Sequence, residues 1–335
     1  MSLKEKPKKH GLDLSMKGLA MGIAEVIPGV SGGTIAFITG IYEELLYTIK
    51  RVNVDLFMLL KSGNLKALWQ HINGRFLLFL LGGMAAGVII GIFFVTYLLE
   101  HYPEPLWAFF FGLVLASGFY MARQISSMKP LYALLFFIGL SVSYTITQLT
   151  PAGGSDSFIA IFFSGAVAIS ALILPGISGS FILLLLGMYS IIIPSVKGLL
   201  SDPNLDSLTI VAVFAAGCLL GLLSFSRILS YTFKNYRDQT LAVLTGVMLG
   251  SLPKIWPWRN PISVLNGASN HIFTPDLSSF SLTDLEHVKV LKELNVMPAS
   301  YFSHPNTLVA VVAFFIGLII ILGFDFYQRQ DNTVK

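Results

Sequence analysis

Long apolar runs separated by short polar segments dominate the chain and predict transmembrane helices. A helix needs about 20 apolar residues to cross a bilayer, and six runs come close to that length. They lie at 76–99, 106–123, 131–149, 208–232, 239–255 and 307–327. Two further apolar stretches, 18–49 and 158–196, differ from these because a cluster of proline, glycine and serine interrupts each of them in its middle.

The two interruptions predict broken helices. The first cluster contains Pro28, Gly29, Ser31, Gly32, Gly33 and Thr34, and the second contains Pro175, Gly176, Ser178, Gly179 and Ser180. Proline and repeated glycine end a helix, and irregular backbone within a bilayer is tolerated only where it is buried in protein or lines a wet cavity. We therefore predict two re-entrant hairpins, each made of a helix, a loop and a returning helix.

The composition also indicates a membrane protein. Of the 335 residues, 54% are hydrophobic and 12% are charged, whereas soluble domains are about 45–50% apolar and about 25% charged. This argues against a water-soluble enzyme. The six histidines are scattered in termini and loops, and Cys218 is the single cysteine, so no disulfide within the chain can form. We expect no metal, no cofactor and no catalytic set.

The positive-inside rule orients the predicted helices. Lysines and arginines flank the first hairpin on both sides, which places the N-terminal segment 1–17 and both ends of that hairpin in the cytoplasm. The long segment 256–306 falls outside, and the C-terminus returns inside. Of the 22 lysines and arginines, five fall on the predicted external side: Lys197, Lys254, Arg259, Lys289 and Lys292. The pattern of 53–72 indicates an amphipathic stretch at the membrane interface, with a polar loop as the alternative.

The two hairpins repeat each other at a constant offset of 147 residues. The offset matches Pro28, Gly29, Ser31, Gly32, Gly40, Tyr42 and Lys50 with Pro175, Gly176, Ser178, Gly179, Gly187, Tyr189 and Lys197. Shorter matches, which include the pairs Gly87-xxx-Gly91 and Gly217-xxx-Gly221, continue through the apolar runs that follow. We therefore predict two repeats, 18–150 and 158–327, each with one hairpin and three transmembrane helices.

An odd number of crossings in each repeat inverts the second copy. The predicted fold is an all-α polytopic membrane protein of two inverted repeats, an arrangement common among secondary transporters, with the ligand site at the broken helices. The segment 256–306 is an external insertion in the second repeat. Both a lid and a simple exposed loop remain open for it.

The clusters predict an anion site. The returning half-helices begin near Ser31 and Gly32 and near Ser178 and Gly179. Serine caps a helix N-terminus, and glycine allows a ligand to approach the backbone closely. Free N–H groups and the positive end of the helix dipole bind anions without a basic side chain. Two such N-termini would hold one anion, such as a phosphate. The alternative is that the turns serve only tight packing.

Two ionisable residues within the predicted membrane segments are further candidates, because such residues are costly there. Glu25 lies inside the first hairpin, where it could carry a coupling proton, pair with a cation or accept hydrogen bonds from loop amides. Arg227 lies inside the end of the run 208–232. Either it extends to the cytoplasmic surface, or it points inward and binds a phosphate through two parallel hydrogen bonds.

The paired motifs resemble the bacterial polyprenyl-phosphate transporter family, long known as a domain of unknown function. The residues that carry the resemblance are the stretch Glu25–Thr34 with Gly40-Ile-Tyr-Glu43, and Leu174–Ser180 with Gly187-Met-Tyr189. Phe225-Ser-Arg227 and the stretch Gly250–Trp258 extend it over nearly the whole chain. Family members often carry Asp where Glu25 stands, which keeps the acid.

The resemblance implies a multi-pass protein of the bacterial cytoplasmic membrane. It would return undecaprenyl phosphate, the lipid carrier of cell-wall precursors, from the outer to the inner leaflet. Its partners would be undecaprenyl phosphate and membrane lipid, with a proton or a cation as coupling ion, and no nucleic acid. With the inverted hairpins, it points to alternating access and to a transporter, not an enzyme. A transporter or channel for a soluble anion is the main alternative, ahead of a membrane phosphatase and a scaffold.

Overall fold

The structure, a computed structural model, is mostly helical. It describes residues 11–26, 31–127, 129–149, 154–155, 157–201, 204–266, 272–275 and 288–333. Its helices are α1 Gly11–Val26, α2 Gly32–Ile38, α3 Tyr42–Lys50, α4 Val54–Lys61, α5 Leu65–His71, α6 Gly74–His101, α7 Pro103–Ala122, α8 Pro130–Gln148, α9 Phe158–Ile173, α10 Gly179–Leu185, α11 Tyr189–Ser201, α12 Leu205–Asn235, α13 Arg237–Gly250 and α14 Thr307–Thr333. Short 3-10 helices cover Leu252–Ile255 and Pro298–Ser300.

Four helices of the described chain are long and apolar enough to cross a membrane, namely α6, α7, α8 and α12. They coincide with the predicted spans 76–99, 106–123, 131–149 and 208–232. In their apolar windows, 56% of α7 is buried inside the protein but only 17% of α8 and 11% of α12. Since soluble proteins rarely expose large apolar patches, the bare faces of α8 and α12 indicate contact with lipid.

Of the other two predicted spans, one agrees with the structure and one differs. Helix α14 Thr307–Thr333 contains the whole predicted span 307–327. The predicted span 239–255 is not one continuous helix, because α13 ends at Gly250 and a 3-10 turn that contains Pro253 follows it. The 14 residues of α13 rise about 21 Å, which is less than the roughly 30 Å of the hydrocarbon core.

The helices pack in four long pairs: α1 with α6, α9 with α12, α7 with α14 and α8 with α13. Glycines allow these close approaches. A Cβ atom at Gly87 would overlap the Leu19 carbonyl oxygen in the first pair, and one at Gly217 would overlap the Phe162 carbonyl oxygen in the second. The close helix packing that the glycine pairs predict is therefore confirmed. The inversion of the two repeats stays a prediction.

The insertion contains a small antiparallel sheet, which the all-α prediction missed. Strand β1 Arg259–Asn266 lies between β2 Ile272–Phe273 and β3 Val288–Asn295. Pro261 cannot donate to the ladder, and the register shifts beside it. This segment is therefore neither a bare loop nor helical. Trp258 is 8% exposed, and its Nε1 donates to the Pro305 carbonyl at 2.8 Å, which ties the sheet to the start of α14.

Each predicted hairpin contains three helices and two interruptions. We call the segment between α1 and α2 the first break and the segment 174–178 between α9 and α10 the second break. The returning arm is itself bent in each hairpin, at Gly40 and at Gly187, where φ is 68° and 69°. Glycine adopts this left-handed conformation readily and so ends a helix. The angle between α10 and α11 is 115°. The prediction of a single returning helix was therefore wrong.

The predicted amphipathic stretch 53–72 forms two short helices, α4 and α5. Their apolar side chains face outward in the structure: Met58 is 55% exposed, Leu65 is 77% exposed and Trp69 is 47% exposed. The segment is therefore helical and not a polar loop, and its location at the membrane interface stays a prediction.

Candidate functional site

Ser31 holds the start of α2. Its Oγ accepts a hydrogen bond from the backbone N–H of Gly33 at 3.1 Å, and the same hydroxyl donates to the Leu172 carbonyl at 3.0 Å. The residue is 1% exposed. Ser31 is therefore an N-cap that also satisfies a carbonyl at the end of α9, in the other hairpin.

Glu25 occupies the first free N–H group of α2. The Gly32 N–H donates to Glu25 Oε1 at 2.7 Å. A Cβ atom at Gly32 would lie 2.6 Å from that oxygen, so any larger residue would displace the carboxylate. Of the roles left open for Glu25, hydrogen bonding to a loop amide is the one that the structure contains.

The N-terminus of α2 is consequently filled in this conformation. The N–H groups of Gly32 and Gly33 reach Glu25 and Ser31, and the Thr34 N–H donates to the Ser31 carbonyl at 3.0 Å. The serine and glycine pattern had predicted that these groups would be free. A ligand anion can bind the Gly32 N–H only after Glu25 moves away.

The second break has a different start. Ser178 is the N-cap residue of α10 but forms no capping hydrogen bond with its side chain. Its Oγ instead lies 2.8 Å from the Ser180 Oγ. Gly176 has φ of 91°, and a Cβ atom there would lie 2.7 Å from the Met248 Cα. Only glycine fits at this point, because the conformation and the close approach of α13 both exclude a side chain.

The structure brings the two breaks together. Besides the bond from Ser31 to Leu172, the Gly176 N–H donates to the Thr34 Oγ1 at 3.1 Å. Tyr42 is 2% exposed, and its hydroxyl donates to the Ile173 carbonyl at 3.0 Å. The first hairpin therefore caps the end of α9, whose last carbonyls would otherwise lack partners.

Most of the predicted site residues meet at this contact. Ser31, Gly32, Gly33, Thr34, Pro175, Gly176, Ser178 and Gly179 are all buried. Ser180 is exposed, beside Ser178. Pro28 and Gly29 lie outside the described residues. What the meeting breaks bind stays a prediction.

Arg227 does not join this group. It is exposed on α12, and its Nη2 donates to the Val52 carbonyl at 3.1 Å, in the linker after α3. Among the described residues it forms no hydrogen bond with either break. The structure contains the outward orientation, one of the two that the sequence left open.

A narrow cleft beside the second break contains residues that the sequence analysis did not single out. Gly176, Ser178 and Phe181 line one side of it, and Ser143, Ser251 and Lys254 line the other. Its volume of about 10 Å³ is roughly that of one water-sized probe. The signal available in the sequence was weak: Ser251 has a repeat partner in Ser117, but Ser143 and Lys254 stand alone.

These features define a class of protein: a polytopic membrane protein whose centre is a pair of broken helices joined by buried hydrogen bonds. The comparisons with known proteins specify it further. The chain matches the undecaprenyl phosphate translocase-like family over residues 21–273 and belongs to that family, as the resemblance predicted.

Two curated relatives are both named polyprenyl-phosphate transporter. A polyprenyl-phosphate transporter of Vibrio cholerae is 42% identical over 322 residues, which is 95% of this chain and 97% of the relative. A polyprenyl-phosphate transporter of Staphylococcus aureus is 30% identical over 257 residues, which is 72% of this chain and 85% of the relative. No solved structure matches the chain.

Proposed function

We propose that this chain carries undecaprenyl phosphate, a polyprenyl phosphate, from the outer to the inner leaflet of the bacterial cytoplasmic membrane. It thereby returns the lipid carrier to cell-wall synthesis. The observation that supports this most is the similarity to the Vibrio cholerae polyprenyl-phosphate transporter over 95% of the chain. The buried contact between the two breaks is the location that we propose for the phosphate.

The phosphate head binds where the two breaks meet. The Gly32 N–H at the start of α2 is the natural donor, because it lies at the positive end of a helix and is held at a fixed position. Glu25 now occupies the Gly32 N–H at 2.7 Å. Two anions cannot share one N–H group at that distance, so the phosphate displaces the carboxylate.

Displacement gives Glu25 a role in coupling. A carboxylate that loses its hydrogen bond in a dry site is costly unless it takes up a proton. Arrival of the phosphate and protonation of Glu25 are therefore linked events. Glu25 then carries a proton in the same step in which the lipid head crosses.

The polyprenyl tail stays in lipid throughout. The apolar windows of α8 and α12 are only 17% and 11% buried, so these helices offer apolar surface along the path of a tail. The head moves between the leaflets by alternating access, in which the two inverted hairpins open to one face of the membrane and then to the other.

The proposal is tested with the purified chain in liposomes that contain undecaprenyl phosphate in both leaflets. A phosphatase that cannot enter the liposomes is added outside, and the released phosphate is measured. Without transport, only the outer leaflet is hydrolysed. With transport, hydrolysis continues towards completion.

A second set of liposomes, loaded with radioactive inorganic phosphate, identifies the substrate class. Hydrolysis beyond the outer leaflet with no leak of inorganic phosphate supports the lipid transporter. Release of inorganic phosphate without lipid movement would instead identify a transporter or channel for a soluble anion.

A further inference from the structure

A second cleft lies above the narrow one, between the sheet of the insertion and the end of α8. Its volume is about 350 Å³, several times that of one ordered water. Tyr144 and Thr147 of α8 and Lys254 form one wall, and Arg259, Lys292 and Glu293 of the sheet form the other. We call it the outer cleft, because the charge pattern predicts that this end of α8 faces the outside.

The outer cleft carries an excess of positive charge, with three cations and one carboxylate among its lining residues. Arg259 Nη1 donates to Glu293 Oε2 at 3.0 Å, and Lys254 Nζ lies 3.5 Å from the same oxygen. Lys292 is exposed and forms no ion pair with any residue in the described part of the chain. The Glu293 carboxylate therefore pairs with both Arg259 and Lys254, and Lys292 has no carboxylate partner among the described residues.

The arginine is held rigidly. Its side chain is 12% exposed, its guanidinium carbon lies 4.4 Å from the centre of the Trp107 ring, and Nη1 also donates to the Lys254 carbonyl at 3.0 Å. A guanidinium fixed in this way is suited to bind a phosphate, since little side-chain freedom is lost on binding.

Two buried polar atoms, one in the lining of each cleft, lack a hydrogen-bond partner among the described residues. They are Arg259 Nε and Ser143 Oγ. Ser143 is 1% exposed and lines the narrow cleft together with Ser178. Buried donors without acceptors are rare and call for an explanation. Both groups can donate a hydrogen bond, so an anion that passes through the clefts would satisfy each of them in turn.

The two clefts adjoin each other. Thr147 and Lys254 line both of them. Lys254 Nζ lies 4.8 Å from the centre of the Phe181 ring in α10, which begins at the second break. A head group in the outer cleft is therefore one side chain away from the site proposed for transport. The wall formed by α8 exposes apolar residues such as Ile138 and Val142 to lipid, where a tail can remain.

A purely structural role for the charged residues of the outer cleft explains only part of these observations. The contacts of Arg259 with Glu293 and with the Lys254 carbonyl attach the sheet to the helices. They do not account for the unmatched charge of Lys292 or for the unpartnered atoms of Arg259 and Ser143.

We propose that the outer cleft is a capture site for a phosphate monoester head group, which Lys254, Arg259 and Lys292 bind before it moves to the second break. Glu293 occupies the place of the phosphate until the ligand arrives. This inference rests on the proposed function for the direction of travel, while binding in the cleft can be measured separately from transport.

The test measures binding to the full chain in detergent by the rise in thermal midpoint, since a ligand that binds only the folded state stabilises it. The probes are undecaprenyl phosphate, undecaprenol and inorganic phosphate. We expect Lys254→Gln and Lys292→Gln each to weaken binding of undecaprenyl phosphate about fivefold, the upper range for one partly exposed charge. Glu293→Gln should tighten binding, because it removes the competing anion. Lys234→Gln, at the other end of the molecule, is the matched control and should bind as the wild type does.

The direction of each change in affinity decides whether the capture site is supported or contradicted. Unchanged affinity in both lysine variants, or weaker binding in Glu293→Gln, would overturn the capture site. A response to inorganic phosphate without one to the lipid would assign the cleft to a free anion and overturn the lipid assignment. If Lys254→Gln does not fold, Lys292→Gln still provides the test, because that lysine is exposed.

Transport is measured alongside, in the liposome assay. If the wild-type chain binds the lipid but transports none of it, the proposed function is contradicted, and the capture site is not. A wild-type chain that transports, with lysine variants that bind and transport as well as it does, contradicts the capture site alone.

Discussion

The two breaks have similar sequences but different surroundings. At the first, Glu25 and Ser31 satisfy the N-terminus of α2, and Thr34 accepts from the other break. At the second, the offset of 147 residues places Leu172, Ser178 and Phe181 at the matching positions. The acid and the threonine are thus absent there, and the serine caps nothing. The first break is closed by its own side chains, and the second opens to a cleft.

The tyrosines that follow the breaks show the same contrast. Tyr42 is 2% exposed and binds the Ile173 carbonyl, whereas its repeat partner Tyr189 is 39% exposed. Tyr42 therefore lies in the core, and Tyr189 lies nearer the surface. We infer that a ligand meets the second break first and that Glu25, at the first, responds to its arrival.

The largest effect on transport should come from Glu25, because the second break has Leu172 at the matching position and therefore no acid. Glu25→Gln keeps an oxygen that can accept from the Gly32 N–H but removes the group that takes up a proton. We expect transport to fall about tenfold or more, which corresponds to about 1.4 kcal/mol or more in the barrier. The liposome assay measures it, and the thermal midpoint should stay close to that of the wild type.

Glu43→Gln is the matched control for this variant. Glu43 makes the same chemical change possible in the same hairpin, but its side chain is 63% exposed and only 3.9 Å from Arg237 at the surface. It should transport normally. Normal transport by Glu25→Gln would remove the carboxylate from the mechanism.

A comparison of the two serines tests the difference in capping directly. Ser31→Ala removes a buried hydrogen bond from Gly33 and a partly buried one to Leu172, and should lower the free energy of unfolding by about 2–3 kcal/mol. Ser178→Ala removes one bond, to the exposed Ser180, and should cost about 0.5–1 kcal/mol. Denaturation of the two variants in mixed detergent gives both values. Equal losses would contradict the asymmetry of the breaks.

The bends that the two hairpins share should respond alike. Alanine at Gly40 or Gly187 must adopt a φ near 68° or 69°, which costs about 1–2 kcal/mol. We expect both variants to lose that much stability in the same denaturation experiment. Gly82→Ala is the control, because nothing lies within 4 Å of a Cβ atom there and alanine favours a helix by up to about 1 kcal/mol. A cost at only one bend would show that the hairpins do not share this feature.

Local patterns predicted the parts of this fold that local chemistry decides. Clusters that combine proline with repeated glycine end helices, so both breaks were located correctly. The spacing of Gly87 and Gly217 in their motifs indicated close packing, which the structure contains. The four membrane-length helices followed from apolar length alone.

The features that were missed depend on distant contacts or on mixed patterns. Ser31 reaches a carbonyl 141 residues away, and no local rule indicates that partner. Strand β3 carries Lys289, Lys292 and Glu293, so its charge resembled that of a loop. The bends at Gly40 and Gly187 were visible as a repeated glycine, but only the offset between the repeats drew attention to them.

Arg227 should produce the smallest effect, and it separates two interpretations of the sequence. In the structure its guanidinium binds the Val52 carbonyl and is exposed, away from the contact between the breaks. We therefore expect Arg227→Ala to keep more than half of the wild-type transport rate, since an exposed hydrogen bond of this kind contributes little. If the arginine instead points inward and binds phosphate, Arg227→Ala should lose transport. Arg227→Lys should then keep only part of it, because lysine cannot form the bidentate contact. Loss of transport in a folded alanine variant would mean that α12 changes its orientation during the cycle and brings Arg227 to the breaks.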